Sequence, residues 1–198
     1  MRTLDSSSIA SRAAGLTISE EMLERAAPGL RGWRGRLFDA RLSLGSGQRL
    51  SAREVFAEHL SHGDAGPALV VSTSPVRVAA YANELDAVIM LAFPDSLASA
   101  LDWAEGERLV CVCTYAPREA MEGRYAQDII PGKMSSGHFG DAAPLIGEVL
   151  SGDSARLQLI RGSIPEDEWD HVASLARSYQ EYYGERARDG DPVAVCFG

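Results

Sequence analysis

The chain of 198 residues is 45% apolar and 24% charged, values that suit one globular domain and argue against disordered, collagen-like and membrane-spanning classes. Its 28 acidic residues outnumber 19 Lys and Arg and give a formal net charge of −9. This balance disfavours nucleic-acid binding, because that binding draws on clustered positive charge. We recognise no family in the sequence.

Residues 1–15 are small and polar and are expected to form a poorly ordered tail. They lack the sustained apolar core of a signal peptide, and no later run reaches the length of a membrane span. We therefore expect a cytoplasmic protein with no membrane partner. Residues 16–198 are predicted to form a single globular domain, with a mainly helical part over residues 16–66 and an α/β body over residues 67–198.

The helical part contains two capping boxes, in which a hydroxyl and a glutamate satisfy each other's backbone donors. Thr17–Glu20 predicts one helix, and Ser51–Glu54 predicts a second helix that ends near Gly63. We interpret an arginine-rich stretch with Trp33 and Phe38 as an amphipathic segment that docks on the protein's own acidic body. Binding of a phosphate, an acidic partner or nucleic acid is the alternative. The arginines are Arg31, Arg34, Arg36 and Arg41.

The charge differs between the two parts. Residues 1–66 hold 9 basic and 8 acidic residues, whereas residues 67–198 hold 10 basic and 20 acidic residues. The body therefore carries −10 and is expected to attract a positively charged partner or the protein's own N-terminal part.

Four short apolar runs in the body read as strands. Their apolar character is continuous rather than alternating, which is typical of strands covered on both faces, as in parallel sheets. The predicted fold class is α/β, with a mixed or mostly parallel central sheet flanked by helices. The runs are residues 68–73, 87–93, 109–115 and 192–197.

The connection after the first run leaves an alternative open. Ser74–Pro75 is predicted to begin a short helix that reaches Leu85, and Asp95 or Ser96 begins the next helix. The first connection is short for a crossover, so Val76–Ala82 could instead pair back as a hairpin. The hairpin would make the fold α+β.

A long irregular connection, from Pro117 to Asp141, follows the third run and is expected to be either a functional loop or a mobile one. Further along, Leu157–Leu159 alternates like a half-exposed strand. Ser163–Glu166 forms a third capping box and begins the strongest predicted helix. Its inward stripe starts at Trp169, and His171 is expected on its solvent side.

Three cysteines and four histidines limit redox and metal chemistry. All three cysteines lie in apolar runs and are expected to be buried and reduced, and Cys111-Val112-Cys113 lacks the spacing of a zinc motif. His59 and His62 lie near a helix C-terminus, where they complement the negative end of the helix dipole. We therefore predict no metal and no cofactor.

A candidate site follows from the predicted sheet, because ligands of open α/β sheets bind outside the carboxyl ends of the strands. A glycine-rich loop with a lysine also favours an anion. Ordinary helix caps would use the same strand-end residues, and no P-loop or nucleophile elbow identifies catalytic residues. The candidate ligand-binding residues are Ser74, Asp95, Ser96, Tyr115 and Arg118 at the strand ends, and Lys133 and His138 in the loop.

Two function classes compete. The leading hypothesis is a non-enzymatic interaction or regulatory protein that binds another protein through its acidic body, with self-association as a second form of partnership. The alternative is a small hydrolase or phosphate-ligand-binding enzyme with its site at the strand ends. An enzyme predicts a concave pocket that contains Arg118 or His138.

Overall fold

A computed structural model describes residues 12–27 and 51–197. Within these ranges the side chains of Ser96, Ala98 and Phe197 are outside the description. The arginine-rich stretch and the first part of the expected tail also lie outside the described residues.

Among the described residues, six strands form one mixed sheet that curls around the main core. The strands are β1 (Asp64–Thr73), β2 (Val76–Ala82), β3 (Ala87–Phe93), β4 (Arg108–Pro117), β5 (Phe139–Ile146) and β6 (Arg188–Asp189). Their spatial order is β5-β4-β1-β2-β3-β6, so β5 and β6 are the two edges.

Seven α-helices accompany this sheet in the described part of the chain. They are α1 (Glu20–Ala26), α2 (Ala52–His62), α3 (Asp95–Leu101), α4 (Gly147–Leu150), α5 (Ser154–Ser163), α6 (Glu166–Tyr183) and α7 (Pro192–Phe197). Two short 3₁₀ turns, Asn83–Leu85 and Arg118–Met121, follow β2 and β4.

The sheet is mixed, as predicted, but among the described strands only β3 and β6 pair in parallel, with Leu91 opposite Arg188. The other neighbouring strands are antiparallel. β1 and β2 form the hairpin that the sequence left as an alternative. The predicted helix from Ser74 to Leu85 is therefore wrong, because Ser74–Pro75 is the hairpin turn and Val76–Ala82 is its return strand.

Continuous apolar runs do not imply parallel strands here, because a curled antiparallel sheet also has both faces covered. The inner face packs on a core that includes Phe56, Leu60 and Tyr115. On the outer face, Val88 and Met90 pack in a second cluster with residues of α6. Every strand near the centre therefore buries both of its faces.

Two predicted strands are helices. Residues 192–197 form α7, and Asp191 Oδ1 accepts from Val193 N at 2.7 Å in its first turn. Leu157–Leu159 lies in α5, for which Asp153 is the N-cap. Periodicity cannot separate a short buried strand from a helix, and an aspartate cap stabilises the helical form in both segments.

The capping boxes also differ in outcome. The box at Ser51 is confirmed, with both of its hydrogen bonds present at the start of α2. Instead of the box at Thr17, Ser19 caps α1. Ser163 belongs to the end of α5, and α6 begins after Pro165 without a side-chain cap.

Residues 12–16 run beside the start of β1. Ala13 forms a bridge with Asp64, and Ala65 N donates to the Arg12 carbonyl at 2.8 Å. Backbone pairing therefore holds these residues against the folded body.

Candidate functional site

The seven residues predicted as a ligand site lie in two groups at opposite ends of the sheet. Ser74 is exposed in the β1–β2 turn, and Asp95 is exposed at the start of α3, with Ser96 next to it in the helix. Because β1 and β4 are antiparallel, the end of β4 lies beside the start of β1 and away from that turn. The structure therefore does not bring the seven residues into one site.

Tyr115, Arg118 and His138 lie close together at the end of β4. Arg118 N donates to the His138 carbonyl at 2.8 Å, and the Arg118 guanidinium lies 4.7 Å from the centre of the Tyr125 ring. The same guanidinium donates to the Gly123 carbonyl at 2.8 and 3.0 Å. Arg118 therefore orders the segment after β4, while Tyr115 is fully buried and His138 is exposed.

Lys133 is exposed in a loop that is hydrogen-bonded to Asp86 through the backbone of Met134. Asp86 accepts from Met134 N at 3.0 Å and from the Tyr81 hydroxyl at 2.9 Å, and it lies 2.7 Å from His171 Nε2. Burial opposes ionisation of Asp86, but these contacts outweigh it and lower its pKa. His171, expected on the solvent side of α6, is instead half-buried against this carboxylate.

A second buried carboxyl, Asp64, accepts from Asn83 Nδ2 at 2.8 Å and from the Tyr115 hydroxyl at 3.1 Å. Burial raises the pKa of Asp64, against the effect of these bonds. Cys111 and Cys113 are free and buried, as predicted, whereas Cys196, also predicted to be buried, is free and half-buried. Hydrogen bonding with Cys111, together with burial, raises the pKa of Cys113, so this thiol stays protonated and is a poor nucleophile.

His59 is buried between α2 and the sheet, which corrects its interpretation as a helix-end residue facing the dipole. Its Nε2 lies 2.8 Å from the Val112 carbonyl oxygen, and its Nδ1 lies 3.6 Å from Cys196 Sγ in α7. Burial lowers the pKa of His59 to about 4 and raises that of Cys196 to about 12. Both groups are therefore neutral near pH 7, and Cys196 is not a reactive thiolate. The contact between them packs α7 against His59.

Arg188 bridges the two edge strands, β5 and β6, where the curled sheet stays open. Its guanidinium donates to both Asp128 oxygens at 2.6 and 2.7 Å, to Asp141 Oδ1 at 2.8 Å and to the Ala142 carbonyl at 2.8 Å. Burial opposes the charge of Arg188, but the two carboxylates outweigh it and raise its pKa. Its positive charge is therefore already neutralised within the protein.

An open cleft of about 800 Å³ lies at this opening, a volume in the range of ligand sites. One lip is the segment after β4, the other is β6 with the residues before it, and β5 and α7 complete the lining. Neither Arg118 nor His138 lines the cleft. The lining residues are Ala120, Met121, Glu122, Arg124, Tyr125, Ala126, Gln127, Asp128, Pro144, Arg186, Ala187, Arg188, Asp189, Ala194 and Val195.

The lining contains three arginines and three carboxylates, and the arginines differ in how available they are to a ligand. Arg124 forms an exposed ion pair with Glu122, a kind of pair that contributes little to stability. Arg186, also exposed, contacts only neutral groups among the described residues: Gln127 Oε1 at 3.5 Å and the Tyr183 ring, 5.8 Å from its centre. Arg186 is therefore the cation of the cleft that is most available to a ligand.

The described lining of the cleft contains no His, Cys, Ser, Thr or Lys. Its candidate nucleophiles and bases are therefore the carboxylates of Glu122, Asp128 and Asp189 and the hydroxyl of Tyr125. It does contain guanidinium groups, carboxylates, one tyrosine and apolar side chains. Such a surface can bind a ligand through ion pairs, hydrogen bonds and apolar contact.

Comparisons of the chain with protein-family models, curated proteins and solved structures found no match. Within residues 12–27 and 51–197, no helix is long and apolar enough to cross a membrane. The same residues contain no group of three or more His, Cys, Asp or Glu that could hold a metal ion. The function is therefore inferred from the geometry of the cleft.

The cleft does not follow from the sequence, although the sequence holds one signal for it. Asp141 lies in the apolar run of β5, and a buried carboxylate requires a polar or charged partner. That partner, Arg188, lies 47 positions further along the chain, in a stretch with no periodicity. The sequence could have indicated a buried ion pair, but not which arginine completes it.

Proposed function

We propose that the protein is a non-enzymatic binding protein that receives a segment of another protein in the cleft between β5 and β6. The lining of this cleft carries the proposal. It combines balanced charges with apolar side chains, as protein interfaces do.

The same lining favours a protein segment over a phosphate-bearing ligand. Two of the three guanidinium groups in the described lining, those of Arg124 and Arg188, already pair with carboxylates, so a doubly charged phosphate would find few cations free to bind it. A polypeptide can match both signs of charge and also supply apolar contact. The alternative, a hydrolase or phosphate-binding enzyme with its site at the strand ends, stays a prediction. It has less support than the cleft, because its candidate residues are divided between two ends of the sheet.

The acidic body supports a partner that is basic overall. Residues 67–198 hold 20 acidic and 10 basic residues. Several acidic residues form ion pairs with arginines, such as Glu166 with Arg108. The count of basic and acidic residues already includes both members of each pair, so the body keeps its net negative charge. The resulting field attracts a positively charged protein, and the cleft then selects it through local contacts.

The proposal is tested by filling the cleft. Ala120 is exposed on one lip, so Ala120→Trp narrows the cleft with little effect on the core. Leu159→Trp is the matched control, because Leu159 is 67% exposed on α5 and does not line the cleft. Proteins recovered with each form from extracts of the source cells are identified by mass spectrometry, and the affinity of each purified candidate is then measured by calorimetry.

We expect a partner that binds the wild type and Leu159→Trp with similar affinity and binds Ala120→Trp at least about tenfold more weakly. Circular dichroism and melting curves check that both variants are folded. A partner with equal affinity for all three forms would place the interface elsewhere. Recovery of no protein that discriminates Ala120→Trp would contradict the proposal.

A further inference from the structure

We infer that the partner places an acidic side chain on Arg186, next to an apolar side chain that enters the cleft. This inference rests on the proposed function and adds the chemistry by which the cleft recognises its partner. It is carried by the differing availability of the three arginines in the lining.

The other two arginines are already paired. Arg188 is 24% exposed and is held by Asp128 and Asp141. Arg124 is paired with Glu122 on the same lip. A ligand could use either guanidinium only in competition with a carboxylate of the protein itself, whereas Arg186 forms no ion pair with a described carboxylate.

Arg186 is also positioned for this contact. Its guanidinium packs near the Tyr183 ring, and the Tyr183 hydroxyl donates to the Gln127 carbonyl at 3.1 Å. The ring is thus fixed to the opposite lip of the cleft, and it limits the conformations open to the arginine. A planar guanidinium held in this way suits a carboxylate, which it can bind through two parallel hydrogen bonds.

A single carboxylate matches the local charge better than a phosphate does. One negative charge balances Arg186, whereas a second would be repelled by Asp189, which is exposed on the same lip. Apolar side chains line the rest of the opening, among them Met121, Pro144 and Val195. The favoured segment therefore carries Asp or Glu beside an apolar residue.

The inference is tested with a displayed library of random linear peptides selected on the folded wild-type protein. Selected peptides are sequenced, and their affinities are measured by fluorescence anisotropy for the wild type, Arg186→Glu, Arg186→Lys and Ala120→Trp. Arg177→Glu is the matched charge control, because Arg177 is exposed on α6 and does not line the cleft. Melting curves establish that each variant is folded.

We expect selected peptides enriched in Asp or Glu next to an apolar residue. They should bind Arg186→Glu at least about tenfold more weakly than the wild type, bind Arg186→Lys with an intermediate affinity, and bind Arg177→Glu unchanged.

Two results would overturn the inference in distinguishable ways. In the first, the peptides bind Ala120→Trp more weakly than the wild type, but they are not enriched in Asp or Glu, or they bind Arg186→Glu as tightly as the wild type. This result would refute the role of Arg186 and leave the proposed function standing. Failure to select any peptide that Ala120→Trp weakens would contradict the proposed function itself.

Discussion

Arg188 is the side chain whose replacement should cost the most stability, because it forms ion pairs with two buried carboxylates at once. Arg188→Met removes the guanidinium and keeps much of the apolar volume, while Asp128 and Asp141 remain in a buried setting. We expect a loss of about 3–5 kcal/mol in the free energy of unfolding, measured by urea denaturation. Arg186→Met, an exposed change on the same lip, should stay within about 0.5 kcal/mol of the wild type. Equal stability of the two variants would show that the bridge is not stabilising.

His59 predicts a specific pH dependence. Its pKa is about 4 in the folded protein, against 6.5 for an unperturbed histidine. The unfolded chain therefore binds the proton more tightly, so the stability contributed by neutral His59 is complete above pH 6.5 and is lost as the pH falls towards 4. Between pH 7 and pH 4 the wild type should lose about 3 kcal/mol more than His59→Gln in urea denaturation. Parallel stability curves for the two proteins would contradict the buried, neutral state of His59.

At the scale of elements, the loop that carries Lys133 depends on a close approach at Gly132. A Cβ at this position would lie 2.0 Å from Asp86 Oδ2 and 2.5 Å from the Asp86 carbonyl oxygen. Gly132→Ala should therefore cost about 1–3 kcal/mol and speed amide exchange at Met134, whose N–H donates to Asp86. Gly162→Ala is the control, because a Cβ there meets nothing within 4 Å. Unchanged exchange at Met134 in Gly132→Ala would show that the loop does not need this contact.

The elements also show how far the sequence could predict the fold. Three of the four apolar runs lie in β1, β3 and β4, because burial on both faces leaves a local signal. Strand direction has no such signal: the hairpin depends on how Val76–Ala82 pairs, not on its composition. The cleft was harder still, because Asp128 and Arg188 meet across 60 positions of the chain. Exposed side chains such as Arg186 carry no periodicity that would mark them as part of a site.

For the molecule as a whole, the sheet order explains why a cleft exists. β5 and β6 end the sheet at opposite edges, and its curl brings them to the same opening. Pairing of a partner strand on β5 is disfavoured for two reasons. Pro144 has no N–H to donate to such a strand. The Gly140 carbonyl already accepts from Ala126 N, and the Ala142 carbonyl already accepts from Arg188. The cleft should therefore bind side chains of the partner rather than extend the sheet.

The most direct test of this account is hydrogen–deuterium exchange of the protein with and without the partner identified by the affinity experiments. The account predicts protection concentrated in residues 120–128 and 186–195, the two segments that supply most of the cleft. Ala120→Trp should abolish that protection at the same partner concentration. Protection confined to the acidic first turn of α6, residues 166–168, or to the turn at Ser74 and the start of α3, would contradict the assignment of the cleft as the binding site.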